Sequence, residues 1–118
     1  MSHTVYGLPN CDTCRKARNW LQRFGVDHDF VDYRTQPVAA ERLRAWAGRL
    51  GGFDALINRA SSTWRNLPGN RKAPGSEPEW LLLIREYPAL VKRPVLEGAD
   101  GSVTLGFSDA AWKRLLLP

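Results

Sequence analysis

The sequence predicts an α/β domain in which a parallel βαβ unit and an antiparallel ββα unit share one four-stranded mixed sheet. Three observations lead there. Residues 4–33 read as strand, helix, strand; residues 95–116 read as a hairpin followed by a helix; and the stretch between carries helical apolar spacing broken by Pro and Gly. The 118 residues fit a single domain, 1–118, with roughly 37–87 as a helical insertion within it.

The first strand is Thr4-Val5-Tyr6-Gly7-Leu8, ended by Pro9-Asn10. A helix starts near Cys11. Ala17, Trp20, Leu21 and Phe24 fall at i, i+3, i+4 and i+7, which puts them on one face, and Gly25 ends the run. Phe30-Val31-Asp32-Tyr33 is a second short strand, and a strand–helix–strand this compact pairs its strands in parallel. Pro37 is expected to open the next helix, with Leu43, Trp46, Ala47 and Leu50 on one face and Gly51-Gly52 as its stop. Residues 53–67 are patchily helical, and Pro68–Ser76 is the most loop-like segment. Ser76-Glu77-Pro78-Glu79 fits a capping box for a helix carrying Leu81, Leu82 and Ile84, stopped by Pro88. Val95-Leu96-Glu97 and Val103-Thr104-Leu105 flank Gly98-Ala99-Asp100-Gly101, a hairpin signal. Ser108 can cap a last helix, with Phe107 and Trp112 at the two positions of a hydrophobic staple. The sum of these elements is the thioredoxin-like fold. Fold alone assigns no activity.

Composition narrows the classes. With 43% hydrophobic residues and five Trp, the chain can build a core without disulfides or metal. No apolar run approaches the ~20 residues of a membrane span, and Met1-Ser2-His3-Thr4 does not open a secretory signal. A cytoplasmic address, no membrane partner and reduced thiols are therefore expected. The net charge is +5, but the 17 Lys and Arg are scattered along the chain, so a nucleic-acid partner is not indicated.

The chemistry lies in Cys11-Asp12-Thr13-Cys14, which holds both cysteines where the first strand meets the first helix. Unpaired N–H groups at a helix start favour an anion, so a thiolate there is stabilised, and the thiolate is the nucleophile. Cys11, nearest the helix start, is the expected attacker. Cys14 lies a turn further in and is placed to resolve a mixed disulfide. Arg15 and Lys16 add positive charge next to the motif. Asn10 and Thr13 make the loop polar and are candidate substrate contacts. A zinc site would have to combine Cys11 and Cys14 with His3 and His28, whose spacing is not that of metal ligands, and no metal is expected. C-x-x-C beside a βαβ unit reads instead as a redox motif.

Two further clusters carry candidate residues. Lys92-Arg93-Pro94-Val95 places an X-Pro bond at a strand entry, where the missing N–H of Pro94 is tolerated. In thioredoxin-like folds the corresponding proline is cis and faces the active cysteine, which would bring Arg93 near the thiol. In Asn58–Arg65 lie Arg59 and Arg65, whose planar forks suit a carboxylate or oxyanion.

Three features together resemble the arsenate-reductase-like family of thioredoxin-fold proteins: the Tyr6–Cys14 loop, Arg59 in the helical insertion, and Arg93-Pro94 before the third strand. The resemblance spans about Thr4 to Leu116. Thr63-Trp64-Arg65 and Leu105–Asp109 further resemble a bacterial branch thought to act as glutathione-dependent thiol reductases. It implies a cytoplasmic oxidoreductase with Cys11, Cys14 and Arg93 as catalytic residues. Asn10, Thr13, Arg59, Arg65 and Pro94 would contact substrate. Glutathione is the implied co-substrate, a small or protein disulfide the implied partner, with no tightly bound cofactor and a monomeric chain. Glutaredoxin-linked arsenate reductases of the family carry a third Arg where this chain has Phe107, and a His where it has Gly7. Those departures argue against arsenate reduction, which stays as one alternative. The other is a redox-sensing regulator binding RNA polymerase, because regulators of the same superfamily use a C-x-x-C as a switch.

Overall fold

The computed structural model describes residues 2–118. Contacts divide the chain into two units, Met1–Tyr33 with Arg93–Pro118, and Arg34–Lys92. The inserted unit thus runs from 34 to 92, against the 37–87 expected from sequence.

The first unit holds β1 (His3–Gly7), α1 (Asp12–Arg23), β2 (His28–Asp32), β3 (Val95–Glu97), β4 (Val103–Leu105) and α5 (Asp109–Leu116). The sheet order is β2-β1-β3-β4. β1 pairs in parallel with β2, Val5 opposite Phe30, and antiparallel with β3, Val5 opposite Leu96. β3 and β4 form the hairpin, Leu96 opposite Thr104. This is the mixed sheet of the thioredoxin-like fold. β1 is an inner strand, and Val5, Tyr6 and Gly7 are all buried rather than alternating, the pattern of a strand covered on both faces.

Val5, Ala17, Trp20, Leu21, Leu96 and Trp112 form the unit's core, joining β1, α1, β3 and α5. Trp112 is fully buried, edge-on to Trp20 at 5.9 Å and to Phe107 at 4.9 Å between ring centroids. The staple expected between Phe107 and Trp112 is therefore formed, and Ser108 caps α5 by accepting from the Ala111 N–H at 3.1 Å. Trp20 Nε1 donates to Asp109 Oδ1 at 2.6 Å, tying α1 to the first turn of α5. That bond, with Lys113 beside it, holds the Asp109 carboxyl below its usual range.

The second unit holds α2 (Ala40–Leu50), α3 (Ser62–Arg65) and α4 (Glu77–Glu86), with short 3-10 turns at Phe53–Leu56, Gly69–Arg71 and Pro88–Leu90. An isolated bridge pairs Ile57 with Val91. α2 starts three residues after Pro37, with Ala39 still extended. Gln36 is a poor N-cap, and the apolar stripe that holds the helix to its core begins only at Leu43. Gly51 ends α2 at φ 91°, a left-handed position that suits glycine. Ser76 caps α4 as expected, but Glu79 returns to the Gly75 N–H at 2.8 Å, one residue outside the box.

Two apolar assignments change. Phe24 caps the end of α1 and is 36% exposed, lying on Trp20 from outside; Cys14 takes the inner face instead, in line with Ala17 and Leu21. In α4 the inward stripe is Leu83 and Ile84, flanked by Trp80, which stacks on Phe53; Leu82 is 53% exposed. A run of three leucines hides its own period, and the aromatic residue one turn earlier sets the face. No helix among the described residues is long and apolar enough to cross a membrane.

Candidate thiol site

Chain geometry between β1 and α1 places the sulfurs. After Gly7 the chain turns at Leu8–Asn10, where the Cys11 N–H donates to the Leu8 carbonyl at 3.2 Å. Cys11 then takes the N-cap position with extended backbone (φ −96°, ψ 127°). Both cysteines are free thiols, Cys11 partly accessible and Cys14 fully buried on the inner face of α1.

The pair is electrostatically split. Partial burial opposes ionisation of Cys11 but is outweighed, so its pKa lies below the ordinary thiol value. The Cys14 backbone N–H and S–H, the Arg93 guanidinium and the Thr13 N–H all favour the anion. The neutral thiol makes no strict capping hydrogen bond, so these N–H groups act on charge as it develops. Cys14 goes the other way. Burial is the largest cause and the Cys11 anion adds to it, pushing Cys14 up to about 11 despite the Leu8 N–H. The arrangement therefore makes Cys11 the more acidic of the two thiols, with Cys14 as its protonated hydrogen-bond donor.

Arg93 supplies the positive charge that reaches Cys11, while Arg15, expected to contribute, is paired with Asp12 on the exposed side of α1. The Arg93–Pro94 peptide is cis and Pro94 is buried. Arg93 Nη1 lies 3.5 Å from Tyr33 Oη. Burial of Arg93 works against its charge, but Tyr33 and the Cys11 sulfur more than offset this. Tyr33 itself is 2% exposed, and burial keeps its phenol above the usual range in spite of Arg93. Sequence reasoning missed Tyr33, taking it as the end of a strand. It lies one residue beyond β2, where its N–H still donates to the Gly7 carbonyl at 3.2 Å.

Cys11, Cys14 and Arg93 are thus brought together. Asn10 and Thr13 are exposed on the same loop and helix turn. Arg59 and Arg65 belong to the second unit, where both are exposed. Arg59 pairs with Asp54 and lies 5.0 Å from the centre of the Trp64 ring, and Arg65 Nη1 donates to the Ala60 carbonyl at 2.6 Å. His3 Nδ1 accepts from the Ala99 N–H at 3.0 Å, and a His28 ring nitrogen lies 2.9 Å from the Val26 carbonyl. Among the described residues no three His, Cys, Asp or Glu side chains cluster as metal ligands would. Phe107 is committed to the aromatic cluster with Trp20 and Trp112.

Known proteins resemble this chain over most of its length. The ArsC family matches residues 6–115, and the chain belongs to that family. An uncharacterised protein of Haemophilus influenzae is 36% identical over 110 residues, covering 93% of this chain and 95% of that protein. The solved structure of the protein YffB superposes with a TM-score of 0.86 at 37% identity, over 98% of this chain and 99% of that one. The global transcriptional regulator Spx of Streptococcus pneumoniae is 29% identical over 107 residues, 90% of this chain and 79% of the regulator.

Proposed function

We propose that the chain is a cytoplasmic, glutathione-dependent thiol–disulfide reductase with Cys11 as nucleophile. The carrying observation is the split pair, Cys11 acidified by the Cys14 thiol and by Arg93. The Cys11 thiolate attacks a disulfide sulfur, the substrate S–S bond breaks, and the leaving thiolate takes a proton from solvent. The mixed disulfide on Cys11 is then cleaved by glutathione or by Cys14. Two glutathione molecules supply both electrons and end as glutathione disulfide. Once Cys11 is in a disulfide its negative charge is gone, which removes one of the causes that keep Cys14 protonated. Asn10 and Thr13 are the loop groups offered to substrate, and Arg59 and Arg65 are proposed to receive carboxylates. Asp54 is the anion such a ligand would have to displace from Arg59.

Disulfide reduction with glutathione as sole reductant tests this reading. Arg93→Lys keeps the charge but loses the planar fork, so turnover is expected to fall about tenfold, equivalent to about 1.4 kcal/mol. Unchanged turnover would remove Arg93 from the mechanism, and no glutathione-driven turnover by the wild-type protein would sink the reductase reading. Arsenate turnover should be slight, because Phe107 offers no donor to an oxyanion. Likeness to Spx favours a second reading, a redox-sensing regulator. Binding to purified RNA polymerase that follows the oxidation state of the two cysteines would favour it over the enzyme.

A further inference from the structure

Gly7 closes β1, and its backbone does not demand glycine, because φ there is not positive. Space demands it. A Cβ built at position 7 would lie 2.5 Å from Cys14 Sγ and 3.6 Å from Cys14 Cβ, while Phe30 on another side is at an ordinary 3.5 Å. Cys14 is fully buried in the first turns of α1 and has one side-chain torsion. Such a collision is relieved only by swinging the sulfur to another rotamer or by moving α1 off β1. Either motion takes the Cys14 sulfur away from its place beside Cys11.

We propose that Gly7 is a positioning residue for the thiol pair: the volume left by its missing side chain seats the Cys14 sulfur within hydrogen-bonding reach of Cys11. The inference rests on the reading of Cys11 as the nucleophile. It makes position 7 the determinant of whether the site works with two thiols or one. With a side chain at 7, Cys11 loses the S–H donor and Cys14 loses its route to the mixed disulfide.

Four proteins test it: wild type, Gly7→Ala, Cys14→Ala and the double variant, each with the pH dependence of Cys11 alkylation followed by mass spectrometry. Gly7→Ala is expected to raise the Cys11 inflection by about one pH unit, the weight of one hydrogen bond to the charged form. Cys14→Ala should do the same. The double variant should match Cys14→Ala, since the clash has nothing left to act on. Additive shifts would mean that Gly7 acts on Cys11 by another route, and no shift in Gly7→Ala would leave Cys14 in place; either overturns the proposal. If Gly7→Ala fails to fold, recovery of folding in the double variant supports the steric pairing, and failure of both overturns it. An ordinary thiol inflection in the wild type would instead sink the nucleophile reading on which the inference stands.

Discussion

Cys11→Ser is expected to lose disulfide turnover by on the order of 10³-fold or more, with the fold retained. A hydroxyl in place of the thiol neither ionises near neutral pH nor exchanges with a disulfide, so the same groups have no nucleophile to activate. The position is partly accessible and its side chain makes no strict capping bond, so stability should hardly change. Residual turnover within about tenfold of wild type would place the chemistry elsewhere.

Trp112→Ala should show the largest loss of stability. The ring is fully buried, packs edge-on against Trp20 and Phe107, and joins the core that links α5 to β1, α1 and β3. Truncating a buried Trp costs about 3–5 kcal/mol, which for a domain of this size is roughly 12–20 °C in Tm. The ring N–H has no hydrogen-bond partner among the described residues, so its removal strands no polar group and the loss is one of packing. A drop of only a few degrees would show that the cluster is less central than its burial indicates.

Much of this was legible in the residues. Two signals reported local events that tertiary packing did not overrule: Ser108 and Phe107 announced α5 and its staple, and Gly98–Gly101 announced the β3–β4 hairpin. The C-x-x-C at a strand-to-helix junction located the thiols for the same reason, since a helix start provides the N–H groups that favour a thiolate. Legibility failed where packing decided between neighbours. Leu81, Leu82 and Leu83 are equivalent in sequence, and only Leu83 is buried. Pro37 advertised a helix start that no capping residue or apolar stripe supported.

Within the site the missed parts were long-range. Tyr33 is 60 residues from Arg93 in sequence, and nothing in the local pattern marks it as the partner of that guanidinium. The burial of Cys14 was not read from the sequence, although it falls three residues before Ala17 and seven before Leu21, on the period that buries those residues. The consequence is chemical, because burial keeps Cys14 protonated as a donor while Cys14, Arg93 and Thr13 lower the pKa of Cys11. The glycine at position 7 stood out only as a departure from the His of the arsenate reductases; its steric role was not legible, since a missing side chain is read only against what fills its place.

The rate of alkylation of Cys11 in the wild-type protein, resolved from Cys14 by mass spectrometry across the pH range, tests the central claim most directly. Cys14 must be kept, because its S–H is among the groups that acidify Cys11. A lowered pKa means that the reactive anion forms at lower pH than for an ordinary thiol. The rate should therefore rise through an inflection below the ordinary thiol value of about 8.5 and level off beyond it. An inflection at or above that value would contradict the account.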